Sequence, residues 1–248
     1  LKHTFFKPKP ANSAMINAVM FDFWNTLIVG RVTQAALKRA DRIAHNYLKK
    51  QGYKISYEDY RKRKSEAFNN YQKLAAKGVH LKPDDILKRF IFYDLVVKPI
   101  DFKKIAYIND VYDREIKFRK GCKTVLKELK NKGYKIALVS NSWLSRGKHC
   151  LEKKKLHKYF DAMVLSSDVG VAKPDKRIFE LAAKKLKVLP FECVFVGDEH
   201  KSDIQGAYDA GICYTIAIEP FKKNAGLVPP TAIIRNLQEI LQIIEKLN

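Results

Sequence analysis

The sequence predicts an α/β fold: a parallel sheet covered by helices on both faces, carrying a separate helical insertion. Three observations support this. Short, almost wholly apolar segments alternate with amphipathic ones from residue 120 onward. A similar apolar segment, Ile16–Phe21, stands alone about 115 residues earlier. Between them, residues 31–115 repeat apolar side chains at helical spacing among Lys, Arg and Glu.

The elements follow in order. Residues 1–14 (LKHTFFKPKPANSA) lack periodicity and contain two prolines, so they read as a tail, poorly ordered unless docked. Ile16–Phe21 is a buried strand ending at Asp22. Residues 31–115 read as about four helices with no strand, punctuated by Gly52, Gly78 with His80, and Pro83. Lys98-Pro99 divides the third helix from a shorter fourth. Beyond Lys120, a helix at 122–131, a strand at 135–140, a helix near 145–155 and a strand at 162–165 follow. Next come a helix at 175–186, a strand at 193–197, a helix at 202–210 stopped by Gly211, a strand at 213–218 and a helix at 236–247. Alternation of this kind implies right-handed crossovers and a parallel sheet. The core is then 15–30 plus 116–248. The helical block 31–115 leaves it just past a strand's C-terminal end, where open α/β sheets bind ligands, and is expected to cap the site.

Composition narrows the classes. With 248 residues, 46% hydrophobic and 30% charged, the chain is neither disordered nor fibrous. No apolar run approaches the roughly 18 residues of a membrane span. No secretory leader pattern is visible, and the four cysteines form no zinc or redox motif, so a reducing cytoplasm is the expected setting. The net charge of +22 is spread along the chain, with +9 in residues 31–115 and +10 in residues 15–30 with 116–248. It reads as a lysine-rich solvated surface, not a nucleic-acid footprint, despite the run Arg61-Lys62-Arg63-Lys64.

Four chemical features lie at strand ends: Asp22, Ser140, Lys173 and Asp198, with Asp203 five residues after the last. Neighbouring parallel strands present their ends along one crevice, so these groups converge. An ionised Asp can attack as a nucleophile. Paired carboxylates offer hard oxygen ligands to Mg²⁺, which favours substrate phosphate as a further ligand. Ser140 can donate to a phosphoryl oxygen, and Lys173 adds a point charge. Gly197 is expected to permit the tight turn that brings Asp198 in.

Asp22–Thr26–Leu27, then Ser140–Asn141, then Lys173–Pro174, then Gly197–Asp198 with Asp203, resembles the haloacid dehalogenase superfamily. The resemblance implies a Rossmann-like core with a helical cap and a hydrolase, most often a phosphatase, acting on a small phosphorylated molecule as monomer or homodimer. It implies Asp22 as nucleophile, and Mg²⁺ held by Asp22, the Trp24 backbone carbonyl and Asp198, with Asp203 in support. Thr26, Ser140, Asn141 and Lys173 would hold the phosphoryl group. Trp143, Arg146, Arg39 and Arg42 are candidate substrate contacts.

One position departs from the pattern. Family phosphatases carry a second Asp two residues after the nucleophile as general acid and base; here Trp24 stands there, and an indole moves no proton at neutral pH. Losing such help costs about 10²–10⁴ in rate. His200 is the candidate substitute, set against the plainer reading of an exposed loop histidine. The aromatic residue also suggests a 2-haloacid dehalogenase. Yet Gly197-Asp198-Glu199 replaces the Ser-Ser-Asn-like turn of those enzymes, and Phe179 stands where they have Tyr. A binding protein that kept the fold without turnover is the third reading.

Overall fold

The computed structural model describes residues 15–31, 33–76, 79, 81–112, 115–142 and 147–248. The expected tail 1–14, the Gly78 and His80 punctuation, and the candidates Trp143 and Arg146 lie outside the described residues.

In chain order the elements are β1 (Ala18–Phe21), β2 (Ile28–Arg31), α1 (Gln34–Lys50), α2 (Tyr57–Ala76), α3 (Pro83–Ile86) running into a π-helical turn (Leu87–Ile91), and α4 (Pro99–Tyr112). Then come β3 (Glu115–Phe118), α5 (Cys122–Asn131), β4 (Lys135–Ser140), α6 (Lys148–Lys153), β5 (Ala162–Leu165), α7 (Ser166–Val169) and α8 (Lys176–Leu186). Last come β6 (Cys193–Gly197), a π-helical turn (His200–Gln205) into α9 (Gly206–Asp209), β7 (Tyr214–Ile218), β8 (Ala232–Ile234) and α10 (Glu239–Leu247).

Six strands form one parallel sheet in the order β5-β4-β1-β6-β7-β8. Side chains alternate across a strand, so each central strand feeds two cores. Val19 and Phe21 of β1 join Ile136, Leu138, Val194 and Val196 beneath α5 and α10. Ala18 and Met20 join Ala137, Val139 and Phe195 beneath α8 and α9. Such two-sided burial makes these strands uniformly apolar, and truncating a residue such as Phe195 to Ala would cost about 3–5 kcal/mol. The sheet is therefore doubly wound, with a Rossmann-like arrangement.

The helices from α1 to α4 bury a third apolar cluster of their own, with Leu48, Tyr60, Ile86, Phe92 and Ile105. Thr33 caps α1 by accepting from the Ala36 N–H at 3.1 Å, worth about 1 kcal/mol. The basic run on α2 is largely consumed here. Lys64 pairs with buried Asp41 at 2.7 Å, Arg61 adds a contact to Asp41 at 3.4 Å, and Arg63 grips Asp94 with both terminal nitrogens.

The structure differs from expectation in three places. The fourth helix is not the shorter one: α4 has 14 residues, whereas the third is a four-residue helix and a π-helical turn. A two-stranded antiparallel ladder, β2 with β3, brackets the helical block, pairing Ile28 with Phe118 and Arg31 with Glu115. And β8 adds a sixth strand beside β7. Among the described residues no helix is long and apolar enough to cross a membrane, and no disulfide joins the four cysteines.

Candidate active site

Asp22 begins where β1 ends. Its N–H donates to the Val196 carbonyl at 2.9 Å, so the β1–β6 ladder fixes its position. In the register, Gly197 ends β6 level with Asp22, and Ser140 ends β4 one position further along. Parallel pairing alone thus aligns three motif residues along one sheet edge. Asp22, Asp198 and Asp203 each bring a carboxylate oxygen within 4.8 Å of the others.

Lys173 joins them. Its Nζ lies 2.6 Å from Asp22 Oδ1 and 2.6 Å from Asp203 Oδ1, with the ammonium almost fully buried. Asn141, expected to touch substrate, has a different partner. Its Nδ2 donates to the Lys173 carbonyl at 2.9 Å and its Oδ1 accepts from the Lys173 N–H at 2.8 Å. Both ends of the carboxamide clamp the lysine's backbone, so Asn141 positions Lys173.

Asp203 is engaged at both oxygens. Oδ1 meets Lys173, while Oδ2 accepts from the N–H groups of Asp198 and Glu199, both at 3.0 Å. That closes the loop that carries Asp198. Gly197 serves this loop by absence of a side chain and not by an unusual turn: a Cβ there would sit 2.4 Å from the Asp203 Cβ. Gly206 does the same one turn on, since a Cβ would meet Pro174 Cα at 2.9 Å, holding α9 against the Lys173–Pro174 segment.

The electrostatics follow from burial. Removal from water pushes the Asp22 carboxyl well above its usual range, against the pull of Lys173. Asp198 rises to about 6, first by burial and then by Asp203, with the Asn25 amide opposing. Burial works against the Lys173 charge, but Asp203 and Asp22 outweigh it and hold the ammonium above its ordinary value. Three carboxylates share one ammonium, so the cluster is short of positive charge. Hard, desolvated oxygen donors crowded together fit a small divalent cation such as Mg²⁺.

Two hydroxyls complete the picture. Thr26 Oγ1 and Ser140 Oγ are fully buried and have no hydrogen-bond partner among the described residues. An unmade hydrogen bond of this kind costs about 1–3 kcal/mol, and such atoms cluster where a ligand supplies the partner.

Trp24 is half-buried, its ring edge-on to Phe23 at 5.2 Å. His200 is neither an exposed loop residue nor a ready proton donor. It is buried; its Nδ1 accepts from the Asn224 N–H at 2.7 Å and its Nε2 faces the Val228 carbonyl at 2.8 Å. Both nitrogens pin the 219–228 segment, so the ring is structural. Arg39 and Arg42 line a shallow groove formed entirely by α1, apart from the carboxylates.

Sequence reasoning missed Asn25, Arg119 and Tyr71. Asn25 occupies the left-handed region at φ 57° and donates to Asp198 Oδ2 at 3.1 Å. Asparagine is among the non-glycine residues enriched there, which is the one available signal. Arg119 binds the Asn25 carbonyl. Tyr71 of α2 reaches across to the Ser142 carbonyl at 3.2 Å, and Tyr107 of α4 meets His149 edge-on at 4.9 Å, so the helical block rests on the chain that follows Ser140. A cleft of about 1100 Å³ opens beside Asp198, lined by Asn25, Thr33, Arg119 and Glu199 among others.

Comparison with known proteins agrees with this geometry. A family profile described as haloacid dehalogenase-like hydrolase matches residues 16–211. A glyceraldehyde 3-phosphate phosphatase of Methanothermobacter thermautotrophicus is 30% identical over 202 residues, 80% of this chain and 84% of that protein. One from Methanopyrus kandleri is 29% identical over 94% of this chain and 99% of its own length. Among solved structures, a HAD phosphatase from Thermococcus onnurineus matches with TM-score 0.60 at 24% identity, covering 92% of this chain and 97% of its own. A 2-haloacid dehalogenase from Pseudomonas syringae pv. Tomato matches with TM-score 0.67 at 21%, covering 94% and 100%. These two structural likenesses concern the fold. The profile match spans the whole stretch from β1 to the end of α9 and takes in every motif residue assembled above; the chain belongs to the haloacid dehalogenase-like hydrolases.

Proposed function

We propose that this protein is a Mg²⁺-dependent phosphatase acting on a small phosphorylated metabolite through an aspartyl-phosphate at Asp22, with the helical block 31–115 as its cap. The observation that carries this reading is the cluster itself: Asp22, Asp198 and Asp203 within 4.8 Å, with Lys173 buried against two of them.

Asp22 and Asp198, with the Trp24 carbonyl, would hold the ion, and Asp203 would support the loop. When bound, Mg²⁺ offsets the repulsion between an anionic nucleophile and an anionic phosphoryl group and stabilises developing charge. Thr26 and Ser140 hydroxyls donate to phosphoryl oxygens, and Lys173 holds Asp22 oriented for attack. An Asp22 oxygen forms a bond to phosphorus while the ester P–O bond breaks, and its electron pair leaves on the departing oxygen. Water then attacks the same phosphorus, releasing inorganic phosphate and restoring the carboxylate. With Trp24 at the proton-transfer position, leaving groups that need no proton are favoured.

Metal-poor dehalogenase chemistry is the weaker reading, since Asp198 and Asp203 have a direct purpose in phosphoryl transfer. The relatives named above and a phosphorylated carbohydrates phosphatase of Thermotoga maritima, 31% identical over 57% of this chain, make three-carbon and larger sugar phosphates the first substrates to try. The test is a screen of phosphorylated metabolites and an aryl phosphate with and without Mg²⁺, beside Asp22→Asn. Phosphate release that needs both Mg²⁺ and Asp22 is expected. Full turnover in the variant, or chloride release from 2-chloropropionate at a comparable rate, overturns the reading.

A further inference from the structure

The β2–β3 ladder ends at Arg119, where four segments meet. The Arg119 N–H donates to the Leu27 carbonyl at 2.9 Å, extending the ladder by one rung. Its guanidinium then folds back. Nε donates to the Asn25 carbonyl at 3.0 Å, Nη2 makes a second, shorter bond to the same oxygen, and Nη2 also reaches the Glu219 carbonyl at 3.0 Å. Asn25 is held in the left-handed region and passes the connection on, from Nδ2 to Asp198 Oδ2. One side chain on the strand returning from the helical block thus fixes the turn after Trp24 and, through it, a site carboxylate.

From this geometry we propose that Arg119 is a positioning residue for the cation site: it sets the direction of the Trp24 carbonyl and the placement of Asp198 by locking Asn25. This rests on the metal reading above. The Trp24 carbonyl belongs to the peptide plane shared with Asn25, so its direction depends on the Asn25 φ that the guanidinium secures. A residue acting on a ligand's orientation in this way changes metal affinity about 10–100-fold when removed.

The sign of the effect separates this from bulk electrostatics. Arg119 is cationic and lies near enough to Asp198 for the two charges to interact. If it acted only as a charge, deleting it would relieve repulsion and tighten Mg²⁺ binding. A positioning role requires the opposite.

The experiment is calorimetric titration of the full chain with Mg²⁺ alone. Wild type, Arg119→Ala, Arg119→Lys, Asn25→Gly and the Arg119→Ala/Asn25→Gly double variant are compared. Asn25→Gly keeps the left-handed turn and deletes only the amide. Arg119→Ala and Asn25→Gly should each weaken Mg²⁺ binding about tenfold. Arg119→Lys, which keeps the charge without the fork, should stay weak. The double variant should be no weaker than the worse single, because both break one chain of contacts. Unchanged or tighter binding in Arg119→Ala, or full additivity in the double variant, overturns the proposal. Should Arg119→Ala fail to fold, the comparison of Asn25→Gly and Arg119→Lys decides, and wild-type affinity in both overturns it. Absence of binding in wild type overturns the metal reading itself, and this proposal with it.

Discussion

Lys173 Nζ stands 2.6 Å from Asp22 Oδ1, and the same nitrogen stands 2.6 Å from Asp203 Oδ1. The ammonium is the shared counterion of two buried carboxylates, and its backbone is clamped by Asn141. Replacing Lys173 by Met keeps the volume and deletes the charge. Breaking a buried pair from one side costs about 3–5 kcal/mol, because the remaining charge is stranded. Asp22 also loses the strongest influence that lowers its pKa, so it is protonated over more of the neutral range and less available for the attack proposed for it. Lys173→Met should therefore lower both the urea midpoint and phosphatase turnover, the latter by at least about 100-fold. Wild-type turnover in a folded Lys173→Met protein would remove this residue from the site.

The orphaned hydroxyls of Thr26 and Ser140 make a different forecast, because stability and function should move apart. A buried hydroxyl without a partner destabilises the fold that contains it. Thr26→Val and Ser140→Ala should leave the unfolding free energy unchanged, or raise it by up to about 1 kcal/mol. The same variants should weaken inhibition by inorganic phosphate and raise KM about tenfold, one lost hydrogen bond to a charged group. If both variants lose stability and keep KM, the hydroxyls are structural.

Trp24 sets the third. An Asp introduced there supplies a proton where the indole cannot. Trp24→Asp should accelerate alkyl phosphate hydrolysis by at least about tenfold and aryl phosphate hydrolysis much less, since only the alkoxide needs protonation. Equal acceleration of both substrates would show that the indole had acted by obstruction.

Strand ends were readable because burial on both faces forces long apolar runs, and a polar residue breaking such a run marks the sheet's edge. That logic places Asp22, Ser140 and Asp198 without a structure. It fails for β2 and β3, whose four residues each pair across the whole helical block with no turn to announce them. It also fails for His200, whose burial depends on the 219–228 segment folding back onto it. Asn141 was legible as a motif residue but not as a clamp, because its partner is a backbone 32 residues away. Gly197 was legible as necessary; only the Asp203 side chain crossing over it explains why.

Asp101 supports a prediction in the helical block. Its carboxylate, almost fully buried, accepts from the hydroxyls of Tyr47 on α1 and Tyr53 on the α1–α2 connection. Tyr47 is raised to about 12, chiefly by its hydrogen bond to Asp101, and Tyr53 is raised chiefly by burial and then by its own hydrogen bond to Asp101. A tyrosine whose pKa is higher folded than unfolded contributes stability that is complete below the unfolded value of about 10. That contribution disappears as pH climbs through the folded value, because the phenolate cannot donate and repels Asp101. The helical block should hold at neutral pH and loosen between about pH 10 and pH 12. A tyrosinate absorbance titration of wild type, minus that of Tyr47→Phe/Tyr53→Phe, should isolate two late-ionising phenols. The double variant should be less stable at neutral pH and lose less stability across that alkaline window. Difference spectra with a midpoint near that of free tyrosine would show that Asp101 does not hold these hydroxyls in solution.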